Sequence, residues 1–359
     1  MTEAIRLAAL HHPHPNPRVG AVLVDRAGNT IGSGAHERAG LAHAERLALA
    51  GVERAPEGAT IVVTLEPCDH HGRTPPCTDA LIDAGVEHVV IGRLDPDPRV
   101  AGSGIERLRA AGITVEVLDP TDPLSTRIEA SDPGYFHHRR TGRARVVLKL
   151  ASTLDGQTAA TDGTSQWITG EDARRDAHLL RARFDGVMVG SGTLIADDPR
   201  LDVRLEDPTV HQPRPIVVSG SRPLPDDARI WDRDPIVVSA VERRIPSGDL
   251  VVVGGARGEV DLEGMLERLP DFGILDLMVE GGAKIARSLW ILDLVDRGVS
   301  YLGASIAGGR GRGMFEGPFA TLSQARPVRI LSVEQVGSDV RIDWEPQPGP
   351  GSGGDPVSR

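Results

Sequence analysis

Ala59-Thr60-Ile61-Val62-Val63-Thr64-Leu65-Glu66-Pro67-Cys68-Asp69-His70-His71-Gly72-Arg73-Thr74-Pro75-Pro76-Cys77 holds both cysteines of a 359-residue chain. Its first five residues form an apolar run that predicts a buried strand, and the cysteines lie beyond that strand's end. Upstream, His43-Ala44-Glu45 opens an Ala- and Leu-rich segment with helical periodicity. One imidazole and two thiolates make three protein ligands for Zn²⁺, one short of a closed structural tetrahedron. Three ligands leave a position for water, whose pKa the ion lowers toward neutrality. Glu45 stands two residues from His43, close enough to shuttle protons without itself binding the metal.

His-x-Glu, then Pro-Cys and a second Cys, resembles the arrangement of the zinc-dependent base deaminases. That signature usually has two residues between the cysteines, whereas eight intervene here, rich in Gly, Pro and basic side chains. Two other readings compete. A disulfide is disfavoured by the low cysteine count in a long chain without a secretory leader. A closed structural site needs a fourth ligand, which His70 or His71 could supply.

The length predicts two or three domains. Aromatic residues are only 3% against 40% hydrophobic overall, so the cores must be built from Val, Leu, Ile and Ala. A net charge of −11 argues against a broad surface for nucleic acid or anionic membrane. The N-terminus lacks a basic-then-apolar leader, and no apolar run is long enough to span a bilayer. A reduced, cytoplasmic setting suits two metal-binding thiols.

Along the chain, residues 2–10 predict a helix with Thr2 as N-cap, ended by the prolines of 11–17. His11, His12 and His14 are expected in a solvated loop. Val19–Val24 and Thr30–Ala35 predict a hairpin around the turn 25–29. The His43 helix and the strand to Leu65 follow, then a helix through Asp79–Ala84, a strand at 85–92, a helix at 103–111 and a strand at 114–118. Alternation of this kind predicts an α/β sandwich with a mostly parallel sheet, with ligands gathered at strand ends and helix N-termini. From Asp119 to Gly142 the pattern loosens, and 139–143 reads as a polar connector.

A second domain is expected from about residue 143. Its first strand, Val146–Ala151, is apolar except for Lys149, read evenly as the exposed side of an edge strand or as a cation for a phosphate or ribose. A helix over 171–183 carries Arg174, Arg175, Arg181 and Arg183, most of them expected to be solvated. Asp185–Thr193 and Leu275–Lys284 each run from strand through glycines into a helix, which suits close backbone approach to a phosphate. Gly308–Gly313 is expected to be a mobile loop. The Gly/Pro/Ser-rich end, 346–359, is expected to be disordered.

Several motifs together resemble the bifunctional riboflavin-biosynthesis deaminase/reductase family. Pro15-Asn16-Pro17-Arg18-Val19-Gly20-Ala21-Val22, His43-Ala44-Glu45, Thr64-Leu65-Glu66-Pro67-Cys68 and Gly72-Arg73-Thr74-Pro75-Pro76-Cys77 resemble its deaminase motifs. Lys149–Gly156, Ser165-Gln166-Trp167-Ile168-Thr169, Val189–Pro199 and Val279-Glu280-Gly281-Gly282 resemble its reductase motifs, and the wide cysteine spacing is the family's own.

The resemblance implies a cytidine-deaminase-like α/β/α sandwich over 1–142 and a dihydrofolate-reductase-like α/β domain over 143–345. It implies Zn²⁺ and NADPH as cofactors and a pyrimidine ribose-phosphate as small-molecule substrate. Deamination comes first, followed by reduction of the ribosyl side chain to ribityl. A homo-oligomer through the reductase domain is expected. By motif, His43, Cys68 and Cys77 hold the metal, Glu45 is catalytic, and Asn16, His36, Arg73 and Asp95 hold the deaminase substrate. Ala151, Trp167, Thr193, Asp197 and Gly282-Ala283-Lys284-Ile285-Ala286-Arg287-Ser288 fall to NADPH. Ser165, Arg181, Leu201, Arg204 and Glu280 fall to the reductase substrate.

The chain departs from the family pattern at Asp97, where Asn is common, and at Ser219-Gly220-Ser221-Arg222, where an Asp usually follows the strand. Arg222 there suits the 2′-phosphate of NADP. Two rival classes remain. A deaminase acting on another nucleoside or on tRNA should carry a basic surface, which the charge opposes. A non-enzymatic zinc module has no purpose for Glu45.

Overall fold

The computed structural model describes residues 1–71, 74–97, 100–220, 222–255, 258–315, 321 and 325–347. The chain divides into two compact units, Met1–Arg143 with Pro270–Leu275, and Ala144–Leu269 with the chain from Asp276 onward.

In the first unit α1 (Thr2–Ala8) leads into β1 (Gly20–Val24) and β2 (Thr30–Ala35), the expected antiparallel hairpin. Met1, not Thr2, occupies the N-cap of α1. Then come α2 (Ala44–Ala48), β3 (Thr60–Val63), α3 (Cys77–Asp83), β4 (His88–Ile91), α4 (Ser103–Ala110) and β5 (Thr114–Val117). The sheet order is β2-β1-β3-β4-β5. It is mixed rather than mostly parallel: β1 pairs antiparallel with both neighbours, and only β3–β4 and β4–β5 are parallel. The hairpin can lie beside β3 without a crossover, which sets this half of the sheet antiparallel. Its core gathers Leu23, Ile61, Val63, Leu81, Val89, Ile91 and Leu108, aliphatic as the composition requires.

The segment read as a connector folds into two helices, α5 (Pro123–Ser131) and α6 (Pro133–Thr141). The Asp122 side chain accepts the Leu124 N–H at 2.7 Å with Pro123 opening the helix, and Asp132-Pro133 repeats that Asp-Pro start. Gly142, at φ 80°, ends α6 in the left-handed conformation that glycine adopts at least cost.

The second unit contains β6 (Arg145–Thr153), β7 (Gln157–Ala159), α7 (Glu171–Arg181), β8 (Gly186–Gly190), α8 (Ser191–Asp197), β9 (Arg214–Ser219), β10 (Ile236–Ser239) and β11 (Asp249–Val252). It continues with α9 (Leu262–Arg268), β12 (Asp276–Val279), α10 (Ala283–Ile291), β13 (Arg297–Gly303), β14 (Arg312–Gly313), β15 (Val328–Val336) and β16 (Asp339–Pro346). Nine strands run in the order β11-β10-β9-β8-β12-β6-β13-β16-β15. The first seven are parallel, and the β15–β16 hairpin closes the far side antiparallel.

Every residue of β10 and β12 is buried, as in a sheet covered on both faces. β6 therefore lies in the interior of the sheet, so the edge-strand reading of Lys149 fails. Within the stretch read as a loop at 308–313, Arg312–Gly313 pairs with β7. β16 reaches Pro346, the first residue of the expected tail, and residues 348–359 lie outside those described. Among the described residues no helix is long and apolar enough to cross a membrane.

The approach of α2 to β2 depends on two alternate glycines. A Cβ at Gly32 would lie 2.0 Å from the Ala48 carbonyl oxygen, and one at Gly34 would lie 2.4 Å from Leu47 Cβ and 2.5 Å from the Ala44 oxygen. Gly34→Ala should therefore push α2, with its functional residues, off the sheet. Overpacking of this kind costs about 1–3 kcal/mol, so calorimetry should show a lowered melting temperature and metal analysis a reduced zinc content. Wild-type values for both would refute the constraint.

Candidate metal centre and reductase site

His43, Cys68 and Cys77 enter one site from three segments. His43 is the N-cap residue of α2, Cys68 lies beyond β3, and Cys77 opens α3. His43 Nδ1 lies 3.2 Å from Cys77 Sγ and 3.5 Å from Cys68 Sγ. A tetrahedral ion with ordinary Zn–S and Zn–N bonds requires N···S edges of about 3.5 Å. All three donor atoms fall within 4.8 Å of one another, so the residues fit zinc. Both cysteines are free thiols, which removes the disulfide reading. Among the described residues the cluster contains neither His70 nor His71, so no fourth protein ligand closes it.

The other ring nitrogen, Nε2, lies 3.3 Å from Thr74 Oγ1, an outer contact of the type that orients a ligating imidazole. The Cys68 thiol is pulled down, first by the hydrogen bond from Cys77 and then, against burial, by His43 and the Cys77 N–H. Glu45 is 3% exposed and its carboxyl is in hydrogen-bond contact with Cys77. Burial first, and the Cys68 charge second, push the Glu45 carboxyl up to about 7.

Two of the expected substrate residues meet beside this centre. Asn16 Nδ2 lies 3.0 Å from His36 Nε2, and His36 Nδ1 lies 3.1 Å from the Ala42 carbonyl oxygen. The carbonyl can only accept, so Nδ1 carries the proton and Nε2 accepts from Asn16. Burial depresses the His36 pKa and keeps that neutral form. The His36 and His43 rings sit edge to face at 5.1 Å. Asp95 is buried beyond β4 and accepts from the Tyr135 hydroxyl at 3.0 and 3.1 Å and from the Asp97 N–H at 2.9 Å. Burial raises the Asp95 pKa. Asp97 is itself buried, with Arg139 Nε 3.7 Å away. Arg73 lies outside the described residues.

His14, expected in solvent, is buried. Its Nε2 lies 2.7 Å from Asp132 Oδ1, with both side chains 3% exposed.

In the second unit, the C-terminal ends of β8 and β12 pass through Gly190-Ser191-Gly192-Thr193 into α8 and through Glu280-Gly281-Gly282 into α10. A Cβ built on Gly282 points to Thr193 Oγ1 at 3.7 Å, so the two turns face each other, while Cβ atoms at Gly190 and Gly192 would enter open space. The turns form an open cradle at helix N-termini, which fits a phosphate-bearing cofactor. Within 282–288, Ala286 is fully buried with its N–H bonded to Gly282 and has no surface for a ligand, whereas Lys284 and Arg287 are exposed.

Ala151 is half-buried on β6, while Ser165, Trp167 and Asp197 are exposed. Trp167 stacks under the Arg174 guanidinium at 4.4 Å.

Arg181, Leu201, Arg204 and Glu280 are brought together. Arg181 Nε and Nη2 donate to the two Glu280 oxygens at 2.8 and 3.0 Å, and Nη1 donates to the Asp202 carbonyl. Leu201 holds φ 54°, a backbone conformation uncommon outside glycine, next to that carbonyl. The Arg204 N–H donates to His178 Nδ1 at 3.3 Å. Burial, then Arg181 and Arg204, lower the His178 pKa to about 4. Arg181 is thus half-buried and paired, with its side chain 11% exposed, rather than solvated. Lys149 Nζ lies 3.6 Å from Glu280 Oε2 and 5.8 Å from the Tyr301 ring centroid. Burial would push the Glu280 carboxyl up, but Arg181 and Lys149 overcome it and hold it at about 2.

Residues 144–342 match the family described as RibD C-terminal domain, and residues 1–93 match the cytidine and deoxycytidylate deaminase zinc-binding region. A riboflavin biosynthesis protein RibD from Chlamydia muridarum is 39% identical over 342 residues, covering 92% of this chain and 91% of that one. This chain belongs to the RibD family. A solved structure of Acinetobacter baumannii RibD matches with TM-score 0.87 at 35% identity, covering 96% of this chain and 97% of that chain. A Thermotoga maritima structure matches with TM-score 0.82 at 33% identity over 97% of both chains. It is described as a diaminohydroxyphosphoribosylaminopyrimidine deaminase/5-amino-6-(5-phosphoribosylamino)uracil reductase.

The chain is accordingly a bifunctional deaminase/reductase of riboflavin biosynthesis, with a zinc-binding deaminase domain and a RibD reductase domain. Its α/β architecture is that of RibD. Sequence reasoning on this RibD chain missed Tyr135 and Asp132, because α6 went unread. The Asp-Pro pairs at 122–123 and 132–133 were the available signal.

The Glu280 cluster generates a pH prediction. A carboxyl lowered from 4.5 to about 2 contributes stability that is fully present above pH 4.5 and lost as pH falls toward 2. The melting temperature of the reductase unit should drop across that window, and Glu280→Gln should show a shallower drop from a lower starting value. Equal slopes in the two proteins would remove Glu280 from the acid response.

Proposed function

We propose that the first unit removes the 2-amino group of 2,5-diamino-6-(5-phosphoribosylamino)pyrimidin-4-one, and that the second reduces the ribosyl side chain of the product with NADPH. The product is then 5-amino-6-(5-phosphoribitylamino)uracil. The observation that carries the first assignment is the convergence of one imidazole nitrogen and two sulfurs with a buried glutamate against them. His43, Cys68 and Cys77 hold zinc, which when bound supplies a Lewis acid that makes a nucleophile from water near neutral pH.

Glu45 moves the protons. Its carboxylate accepts one from the attacking water and passes it to the ring nitrogen, then accepts the second from the hydroxyl left on the ring carbon and passes it to the departing amine. His36 holds Asn16 through Nε2, which leaves the Asn16 carbonyl and its second N–H for the polar edge of the pyrimidine. Asp95 accepts from the substrate, and Arg73 takes the phosphate, as the family resemblance implies.

In the reductase unit the facing turns at Gly190–Thr193 and Gly281–Gly282 cradle NADPH, with Ala151, Trp167, Asp197 and the exposed residues of 283–288 around it. The cofactor supplies the hydride when bound. Arg181 and Glu280, with Ser165, Leu201 and Arg204, orient the sugar phosphate, and the fixed Glu280 anion keeps the Arg181 guanidinium in place. The activities divide at residues 142–143, and the compact units on either side of Arg143 support that division.

A cytoplasmic location and a homo-oligomer through the reductase unit complete the reading. The oligomer is supported by β15, a nine-residue strand at the sheet edge with Val328, Ile330, Leu331 and Val333 at 40–61% exposure. An edge of this length and apolarity is a template for pairing with a second copy.

Two experiments test the proposal. Glu45→Gln should retain zinc and lose ammonia release by at least about a hundredfold, while NADPH oxidation on the deaminated intermediate stays at the wild-type rate. Ammonia release at the wild-type rate would remove Glu45 as the proton carrier. Val333→Glu should shift the protein toward monomer in sedimentation analysis, and an unchanged assembly would move the interface elsewhere.

A further inference from the structure

We propose that the first turn of α6 is a positioning element of the deaminase site, with Asp132 setting Asn16 and Tyr135 setting Asp95. The proposal rests on the reading of Asn16 and Asp95 as substrate contacts.

Asp132 is 2% exposed and grips the chain on both sides of Asn16. Its Oδ1 lies 2.7 Å from His14 Nε2, and its Oδ2 accepts the Arg18 N–H at 2.8 Å. Between those points the Asn16 N–H donates to the Pro13 carbonyl at 3.1 Å, so His14 sits inside the turn that presents Asn16. Arg18 adds two contacts, donating to the Ser131 carbonyl at 3.4 Å and reaching His12 Nδ1 at 2.7 Å. A buried carboxylate is costly unless its oxygens are satisfied. Burial opposes ionisation of Asp132, but His14 and Arg18 overcome it and lower its pKa.

Three residues beyond this N-cap, in the first turn of α6, Tyr135 is 3% exposed and directs its hydroxyl to both oxygens of Asp95 at 3.0 and 3.1 Å. The Arg139 guanidinium covers the Tyr135 ring at 4.9 Å and holds it from the far side. One helical turn thus touches the loops that carry Asn16 and Asp95, which lie far apart in the chain. None of these α6 residues belongs to the zinc-binding region matched over 1–93.

The test uses full-length protein with Asp132→Asn and Tyr135→Phe, each nearly isosteric. Both should raise KM for the diaminopyrimidinone phosphate about tenfold, the value of one hydrogen bond to a positioned group. kcat for ammonia release, zinc content and NADPH oxidation on the deaminated intermediate should stay close to wild type. The discriminating measurement is a pair of double-mutant cycles. Asp132→Asn should add nothing in an Asn16→Ala background, and Tyr135→Phe should add nothing in an Asp95→Ala background.

Full additivity in either cycle, or an unchanged KM in both single variants, overturns the proposal. So does an Asn16→Ala or Asp95→Ala protein with wild-type KM, since nothing would remain to be positioned. Failure of the functional reading shows separately, as wild-type protein that releases no ammonia from this substrate.

Discussion

Two sulfurs and one imidazole nitrogen, arriving on three separate segments, must meet at the edge length of a zinc tetrahedron. Much of the first unit can be understood from that requirement. Cys68 sits just past the end of β3, and Cys77 is placed by the start of α3. His43 reaches them only because α2 lies directly against β2, and it does so because Gly32 and Gly34 present no side chain. The same close packing puts Glu45 out of water, so the constraint that builds the metal site also sets the environment of the carboxyl beside it.

The two units use buried glutamates to opposite ends. For Glu45, desolvation together with the neighbouring Cys68 thiolate lifts the carboxyl to about 7. Glu280, its side chain 13% exposed, is instead held at about 2 by Arg181 and Lys149. Desolvation acts on both, and the nearest charge decides the sign. One carboxyl is left near neutrality by burial and a thiolate. The other remains an anion that anchors cations, which accounts for Lys149 standing in the otherwise apolar run 146–151 of an interior strand.

Much of this was legible in the residues. The β1–β2 hairpin, the strand before Cys68, and the strand–glycine–helix turns at 186–193 and 276–283 all carry local signals, because hydrophobic period and glycine placement act over a few neighbours. The convergence of His43, Cys68 and Cys77 was legible because an imidazole with two thiols at such spacing is rare. The misreadings were of another kind. His14 looked solvated because its partner, Asp132, lies 118 positions away. Arg181 looked like surface charge because Glu280 is 99 positions away. The α5 and α6 helices went unread because their periodicity is weak, although the Asp-Pro starts were present.

The amino-acid sequence by itself determined which chemistry is possible: an imidazole, two thiols and a carboxylate at deaminase spacing, glycine turns suited to a phosphate, and membership of a two-activity family. The tertiary structure alone decided which of those groups meet, which charges are neutralised and which helix supports the site. The physical reason is that burial and Coulomb interaction depend on distance through space. A linear pattern records residue identity and local period, whereas the environment of Glu45, Glu280 or Asp132 is set by side chains far along the chain.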